Sequence, residues 1–164
     1  MSEKKARNCL VFNSLQEFKS LFSKDDFWCP TTIGYVYCVE IGDEIKIGFT
    51  SNLWKRLSEL ESYARLYMRK PFKRLAFTEE LETFKTLERH IHQTFWNKRL
   101  PGEMFNITFE NAVNALEQVQ AEPYPVENEE YHPVHKAKTN KNPRGHAIRL
   151  RNTINELYKG NNNA

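Results

Sequence analysis

Residues 33–57 read IGYVYCVEIGDEIKIGFTSNLWKRL, and the fold turns on how this stretch divides. Gly34–Ile41 and Glu44–Thr50 are two β-type runs joined by Gly42-Asp43, a pair suited to a tight hairpin turn. After Thr50 the period changes, and Leu53, Trp54, Leu57, Leu60 and Ala64 recur at helical spacing behind Thr50, Ser51 or Asn52 as N-cap. The stretch therefore predicts a hairpin feeding a helix. The first strand is apolar or aromatic from Tyr35 to Val39, as in a strand covered on both faces, which makes it central in its sheet. The second strand alternates, with Ile45, Ile47 and Phe49 pointing one way and Lys46 and Gly48 the other. Tyr37, Lys46, Gly48 and Arg56 can then converge on one sheet edge, where a phosphate or another anion would be held.

On the N-terminal side, residues 1–12 form an indefinite lead-in. Ser14-Leu15-Gln16-Glu17 is a capping box that opens a helix over 14–23, with Leu15, Phe18, Leu21 and Phe22 at helical spacing. Asp25–Thr32, containing Pro30, is a loop into the hairpin. On the C-terminal side, Phe72–Thr78 reads as a third strand and residues 79–97 as a long helix with a stripe of Leu81, Phe84, Leu87, Ile91 and Phe95. Glu88 and His92 lie one turn apart beside that stripe. Pro101-Gly102 makes a turn, Met104–Thr108 is a short strand or extended segment, and Phe109–Gln120 is a helix. The organisation is a helical lead-in (1–32), one domain (33–120), a proline-containing linker (121–145) and a basic C-terminal helix (146–164).

At 164 residues, 40% hydrophobic and 13% aromatic, the chain has the composition of one globular domain with appendages. No run approaches the roughly 18 apolar residues that span a bilayer, and the N-terminus lacks the pattern of a signal peptide, so the cytoplasm is the expected compartment. Cys9, Cys29 and Cys38 are odd in number and share no ligand spacing, which predicts neither disulfides nor a zinc site. Cys38 reads as a small buried hydrophobe.

The net charge of +3 conceals a segregation. From Val134 to Ala164 there are seven Lys/Arg and one acid, while the first 133 residues carry seventeen basic and twenty acidic residues. A second basic cluster runs through Lys55, Arg56, Arg65, Arg69, Lys70, Lys73 and Arg74. Separated basic regions on an otherwise acidic chain point to a polyanionic partner, most simply nucleic acid. The apolar residues Ile148, Leu150, Ile154 and Leu157 also suit the last helix to docking on the core or to forming a homo-oligomer with a second copy. Taken singly, Tyr37 suits a core aromatic, Lys46 and Arg56 solvated charges, and Glu88 with His92 an exposed helix pair. His90 and His92 fall on different sides of their helix, and His132 and His135 make a chance pair in the linker.

The segments GYVYCVEIGDEIKIGFTSNLWKRL, LERHIHQTF and PGEMF together resemble the GIY-YIG nuclease superfamily, in particular its phage and bacterial branch with a KIG-x-T second signature. Tyr35-Val36-Tyr37 stands where that family has GIY, Lys46-Ile47-Gly48 stands for YIG, Arg56 follows at the usual distance, and Glu88 matches the metal-binding glutamate. The resemblance covers roughly residues 33–120. It implies an α+β fold with a small three-stranded antiparallel sheet flanked by helices, carrying here a basic C-terminal extension. The implied activity is hydrolysis of a DNA phosphodiester with one divalent cation, Mg²⁺ or Mn²⁺, at Glu88.

In that scheme Arg56 grips the scissile phosphate. Tyr37 positions or deprotonates the attacking water, its pKa lowered by a neighbouring cation such as Lys46. The first glycine and second tyrosine of the signature are replaced by Tyr35 and Lys46. Leu60 stands where many members carry a histidine, and His92 is the residue placed to take over part of its role. DNA contacts are expected from Tyr35, Lys55, Arg65, Arg69, Lys70, Lys73 and Arg74, and from Arg144, Arg149 and Arg151 in the tail. The competing reading is a catalytically degenerate nucleic-acid-binding or regulatory module of the same fold, with a protein-interaction domain third. Joint retention of Tyr37, Lys46, Arg56 and Glu88 favours the nuclease.

Overall fold

The computed structural model describes residues 6–27, 32–120 and Leu157. In chain order its elements are β1 (Cys9–Phe12), α1 (Leu15–Leu21), β2 (Tyr35–Ile41), β3 (Glu44–Thr50), α2 (Leu53–Tyr63), β4 (Phe72–Thr78), α3 (Phe84–Thr94), β5 (Arg99–Leu100), β6 (Met104–Phe105) and α4 (Phe109–Gln118). Short 3-10 turns occupy Lys24–Phe27 and Trp96–Lys98, and α2 runs on into a π-helical turn at Ala64–Met68.

The hairpin forms as the sequence predicts. Ile41 pairs with Glu44 across Gly42-Asp43, and Gly42 has φ +59°, a first turn position where glycine costs least. β2 is central, with β3 on one side and β4 on the other. The sheet extends beyond the expected three strands to six, ordered β1-β4-β2-β3-β6-β5, every pairing antiparallel. The additions are β1, which pairs Cys9–Phe12 with Leu75–Thr78, and the β5–β6 pair beyond β3.

Alternation sorts side chains to two faces. On one, Tyr35, Tyr37, Val39 and Ile41 join Leu75, Phe77, Leu10 and Phe12 against α1 and α2, in a cluster rich in aromatic edge contacts. On the other, Val36, Cys38, Ile45, Ile47 and Ala76 pack against Phe84, Leu87 and Ile91 of α3 and Ala112 and Leu116 of α4. Cys38 is fully buried there, and burial pushes its thiol pKa well up, as expected for a packing residue.

Caps set where the helices begin. Ser14 Oγ accepts from the Glu17 backbone N–H (3.1 Å), while the Glu17 carboxylate accepts from the Asn13 N–H (2.8 Å). Of the three candidates before α2, Asn52 is the cap, its Oδ1 accepting from the Lys55 N–H at 3.0 Å. α3 starts at Phe84 instead of residue 79 because Leu81 exchanges two backbone hydrogen bonds with Gly34 (2.8 and 3.1 Å), which keeps that segment extended. The lead-in is pinned too. The Arg7 guanidinium donates to the Leu116 and Val119 carbonyls, covering carbonyls that α4 leaves unpaired at its C-terminal end.

Among the described residues no helix is long and apolar enough to cross a membrane. The linker and, apart from Leu157, the basic C-terminal segment lie outside the described residues, Arg144, Arg149 and Arg151 included. Leu157 is helical and partly buried, and it packs against the aromatic face of the sheet.

Candidate active site

The site is built on the β2–β3 pair. Tyr37 sits opposite Gly48 in register, and its ring lies across that glycine. A Cβ at Gly48 would fall 2.7 Å from Tyr37 Cζ and closer still to the hydroxyl. The missing side chain is what lets the phenol reach over β3. Asn52 fixes the start of α2, which carries Arg56 above this point on the edge of the Leu53–Leu57–Leu60 stripe. Arg56 Nε donates to Tyr37 Oη at 3.0 Å, and one terminal nitrogen makes a looser 3.4 Å pair with Glu59. The rest of the guanidinium fork is open to a ligand.

Lys46 is on the same face, 8% exposed. Its Nζ donates to Glu103 Oε2 (2.9 Å) and to the Gly102 carbonyl (3.1 Å). A buried ammonium needs such partners, and the Glu103 carboxyl is in turn held below its ordinary pKa, chiefly by that hydrogen bond. Lys46 and Arg56 both line a cleft of about 470 Å³, whose floor includes Ile41 and Leu60 and whose rim includes Gly102 and Tyr63.

Glu88 and His92 approach from α3 on the opposite face. β6 covers β3 only at Ile45 and Lys46. Just beyond, the Ile47 carbonyl accepts from His92 Nε2 at 2.9 Å, and the same nitrogen is 3.0 Å from Glu88 Oε1. With two oxygen acceptors around it, Nε2 is the nitrogen that carries the proton. Burial draws the imidazole pKa down, but the hydrogen bonds to Glu88 and Ile47 outweigh it and leave the pKa above its ordinary value. His90 turns elsewhere, with Nδ1 2.9 Å from the Gln120 carbonyl.

The expectation that a cation lowers the Tyr37 pKa requires correction. Burial raises it, the Arg56 hydrogen bond only partly offsets that, and the nearby carboxylates of Glu103 and Glu88 push it up further. The phenol is therefore protonated at neutral pH, able to accept from Arg56 and donate one hydrogen bond of its own. It can orient a water or a phosphate oxygen, but as a resting base it is poor.

Among the described residues no three His, Cys, Asp or Glu side chains cluster as a metal cage. An Mg²⁺-type ion requires less, usually one or two carboxylates with substrate phosphate and water completing the shell. Glu88 fits: its side chain is 14% exposed, Oε1 is oriented by His92, and Oε2 has no hydrogen bond among the described residues.

The expected DNA contacts divide. Lys55, Arg69 and Lys73 are exposed and make no ion pair among the described residues, whereas Arg65 pairs with Glu61 and Lys70 with Glu44. Tyr35 is corrected: it is fully buried, with its hydroxyl on Glu80 (3.0 Å), and cannot touch nucleic acid. Arg74 is corrected as well. Two of its nitrogens bind Glu40 at 3.0 Å and a third binds Glu110 at 2.9 Å, and it lies over the Phe109 ring, on the sheet face away from Tyr37.

Sequence reasoning gave Glu103 no role, although it reaches Lys46 and acts electrostatically on Tyr37 and His92. The one available signal was a lysine in an otherwise apolar strand, which demands an anion from elsewhere in the chain. A family model described as the T5orf172 domain matches residues 34–120, more than half of the chain. No curated protein and no solved structure matches.

Proposed function

The chain belongs to the T5orf172 domain family, and from that premise, with the geometry of the β3 edge, we propose that it is a metal-dependent DNA endonuclease of GIY-YIG type. The observation that carries the reading is the Arg56–Tyr37 hydrogen bond over Gly48, with a buried lysine on the same face and, on α3, a carboxylate with one unpartnered oxygen that acts electrostatically on Tyr37. A binding module has little use for Glu88 at this place, because a carboxylate beside a phosphate repels it unless a cation intervenes. Arg56 would take the scissile phosphate with the nitrogens that Tyr37 leaves open and hold the charge that grows on it. Lys46 would add its ammonium from the floor of the cleft. Tyr37, protonated, would donate a hydrogen bond to a phosphate oxygen or to the attacking water and fix the line of attack. His92 would hold Glu88 in orientation through its Nε2 proton. Mg²⁺ or Mn²⁺ bound at Glu88 would supply Lewis-acid stabilisation of the leaving oxygen.

The test is incubation of the purified chain with plasmid and with single-stranded DNA in Mg²⁺, Mn²⁺ or EDTA, alongside Glu88→Gln. Cutting that needs the metal and disappears in the variant, with the circular dichroism spectrum unchanged, is the expected result. Unaltered cutting by Glu88→Gln would place the metal elsewhere, and DNA binding without cutting in any metal would favour the binding module.

A further inference from the structure

At the rim of the cleft, α2 ends in an exposed aromatic pair that the core does not use. Tyr63 and Tyr67 stack on each other, ring centroids 5.5 Å apart at 29°. They remain 52% and 77% exposed, with Leu66 between them at 58%. Two large aromatics held together in water forgo the burial that normally repays ordering them. The Ala64–Met68 π-helical turn, closed by Arg69 in a left-handed conformation (φ +53°), sets this spacing, and such turns occur frequently at functional sites.

The surroundings select the ligand. Tyr63 lines the Lys46–Arg56 cleft and also, with Tyr67, Trp54 and Lys55, an adjoining groove of about 710 Å³. Lys24 and Lys55 border that groove, Arg69 follows the tyrosines, and none of the three has an ion pair among the described residues. Two acids lie nearby: Glu59, which lines the groove and makes a loose 3.4 Å pair with Arg56, and Glu61, which pairs with Arg65 at 3.2 Å. A flat aromatic surface flanked by unpaired cations and continuous with a phosphate-sized cleft is complementary to a polyanion that exposes the faces of its bases. In a duplex those faces are stacked away, whereas a single strand presents them.

We infer that Tyr63 and Tyr67 form a stacking platform for an unpaired base of single-stranded DNA whose backbone continues into the Lys46–Arg56 cleft. The inference rests on the proposed use of that cleft for phosphate and names its substrate as DNA with a single-stranded segment.

Binding is measured by fluorescence anisotropy in EDTA, on the full chain, with a labelled single-stranded oligonucleotide and with the blunt duplex of the same sequence. Tyr67→Ala is expected to weaken single-strand binding about tenfold, the scale of one lost base–aromatic stack, and duplex binding by less than about twofold. Tyr63→Ala is expected to behave alike, and Tyr67→Phe, which keeps the ring, to match the parent. Unchanged single-strand affinity in both alanine variants, or equal losses on the two substrates, would overturn the platform. Because the readout excludes the metal, it stands apart from the cleavage test of Glu88→Gln, and either can fail without the other.

Discussion

At the scale of single residues, the Arg56–Tyr37 contact has to serve opposing demands. A guanidinium bound only to carboxylates would have its charge spent before a phosphate arrived, which is the state of Arg74 between Glu40 and Glu110. Arg56 instead rests on a neutral phenol, with only a 3.4 Å half-exposed pair to Glu59. Its Arg56→Ala variant should lose roughly 2–4 kcal/mol of transition-state stabilisation in cleavage, measured as kcat/KM on a DNA substrate. A rate within about threefold of the parent, or about 0.7 kcal/mol, would remove it from the mechanism. His92 makes a prediction that needs no activity. Its pKa is raised in the fold above the ordinary 6.5. The protonated ring thus adds stability that is fully present below about pH 6.5 and is lost as pH rises through the folded value. Melting temperatures of the parent and His92→Gln should differ most at the acid end and converge on the alkaline side of that value. Parallel curves across the range would mean that the imidazolium is not favoured by Glu88.

At the scale of elements, what was legible followed from local pattern. The hairpin, the central place of β2, the full span of β3 and β4 and the core stripe of α2 all sit in periodicity and turn chemistry within a few residues of one another. The missed strands are β1 and β5, whose evidence is distant or slight. β1 is four residues long and is fixed only by pairing with β4 some 65 residues later, and β5 has two residues, whereas β6 falls within the short strand or extended segment expected at Met104–Thr108. The overlong reading of α3 failed for the same reason, since the bridge that keeps Leu81 extended is made to Gly34, across the hairpin. Glu103 is the equivalent case within the site, 57 positions from the lysine it hydrogen-bonds. The β2–β3 pair also makes the sharpest element-level prediction. Gly48→Ala would drive a methyl into the Tyr37 ring and should destabilise the fold by about 1–3 kcal/mol, the usual cost of overpacking, as read by urea denaturation. A loss under about 0.5 kcal/mol, the level of a neutral surface change, would mean that the ring can swing aside and that its position over β3 is not enforced.

At the scale of the whole molecule, the site joins two layers that the sheet otherwise keeps apart. Tyr37, Lys46 and Arg56 belong to the face covered by α1 and α2, Glu88 and His92 to the face covered by α3. The two are linked across β3, where β6 leaves the strand uncovered and His92 reaches the Ile47 carbonyl, and Glu88 acts electrostatically on Tyr37. The basic tail is expected to bear on both stability and binding. Leu157 packs against the α1–α2 face, while seven Lys/Arg against one acid lie between Val134 and Ala164. Deleting residues 134–164 is therefore expected to lower the melting temperature and to weaken DNA binding together, and Leu157→Ala separates the two effects. Loss of that partly buried side chain should cost about 1 kcal/mol of stability and leave the salt dependence of binding untouched. Replacing Lys136, Lys138, Lys141 and Arg144 by glutamine should do the reverse. Each phosphate contact removed flattens the slope of log affinity against log salt by about 0.9, with the melting temperature held. A slope unchanged by the four substitutions would show that the tail acts through packing alone, and a melting temperature unchanged by Leu157→Ala would show that its contact with the core contributes no stability.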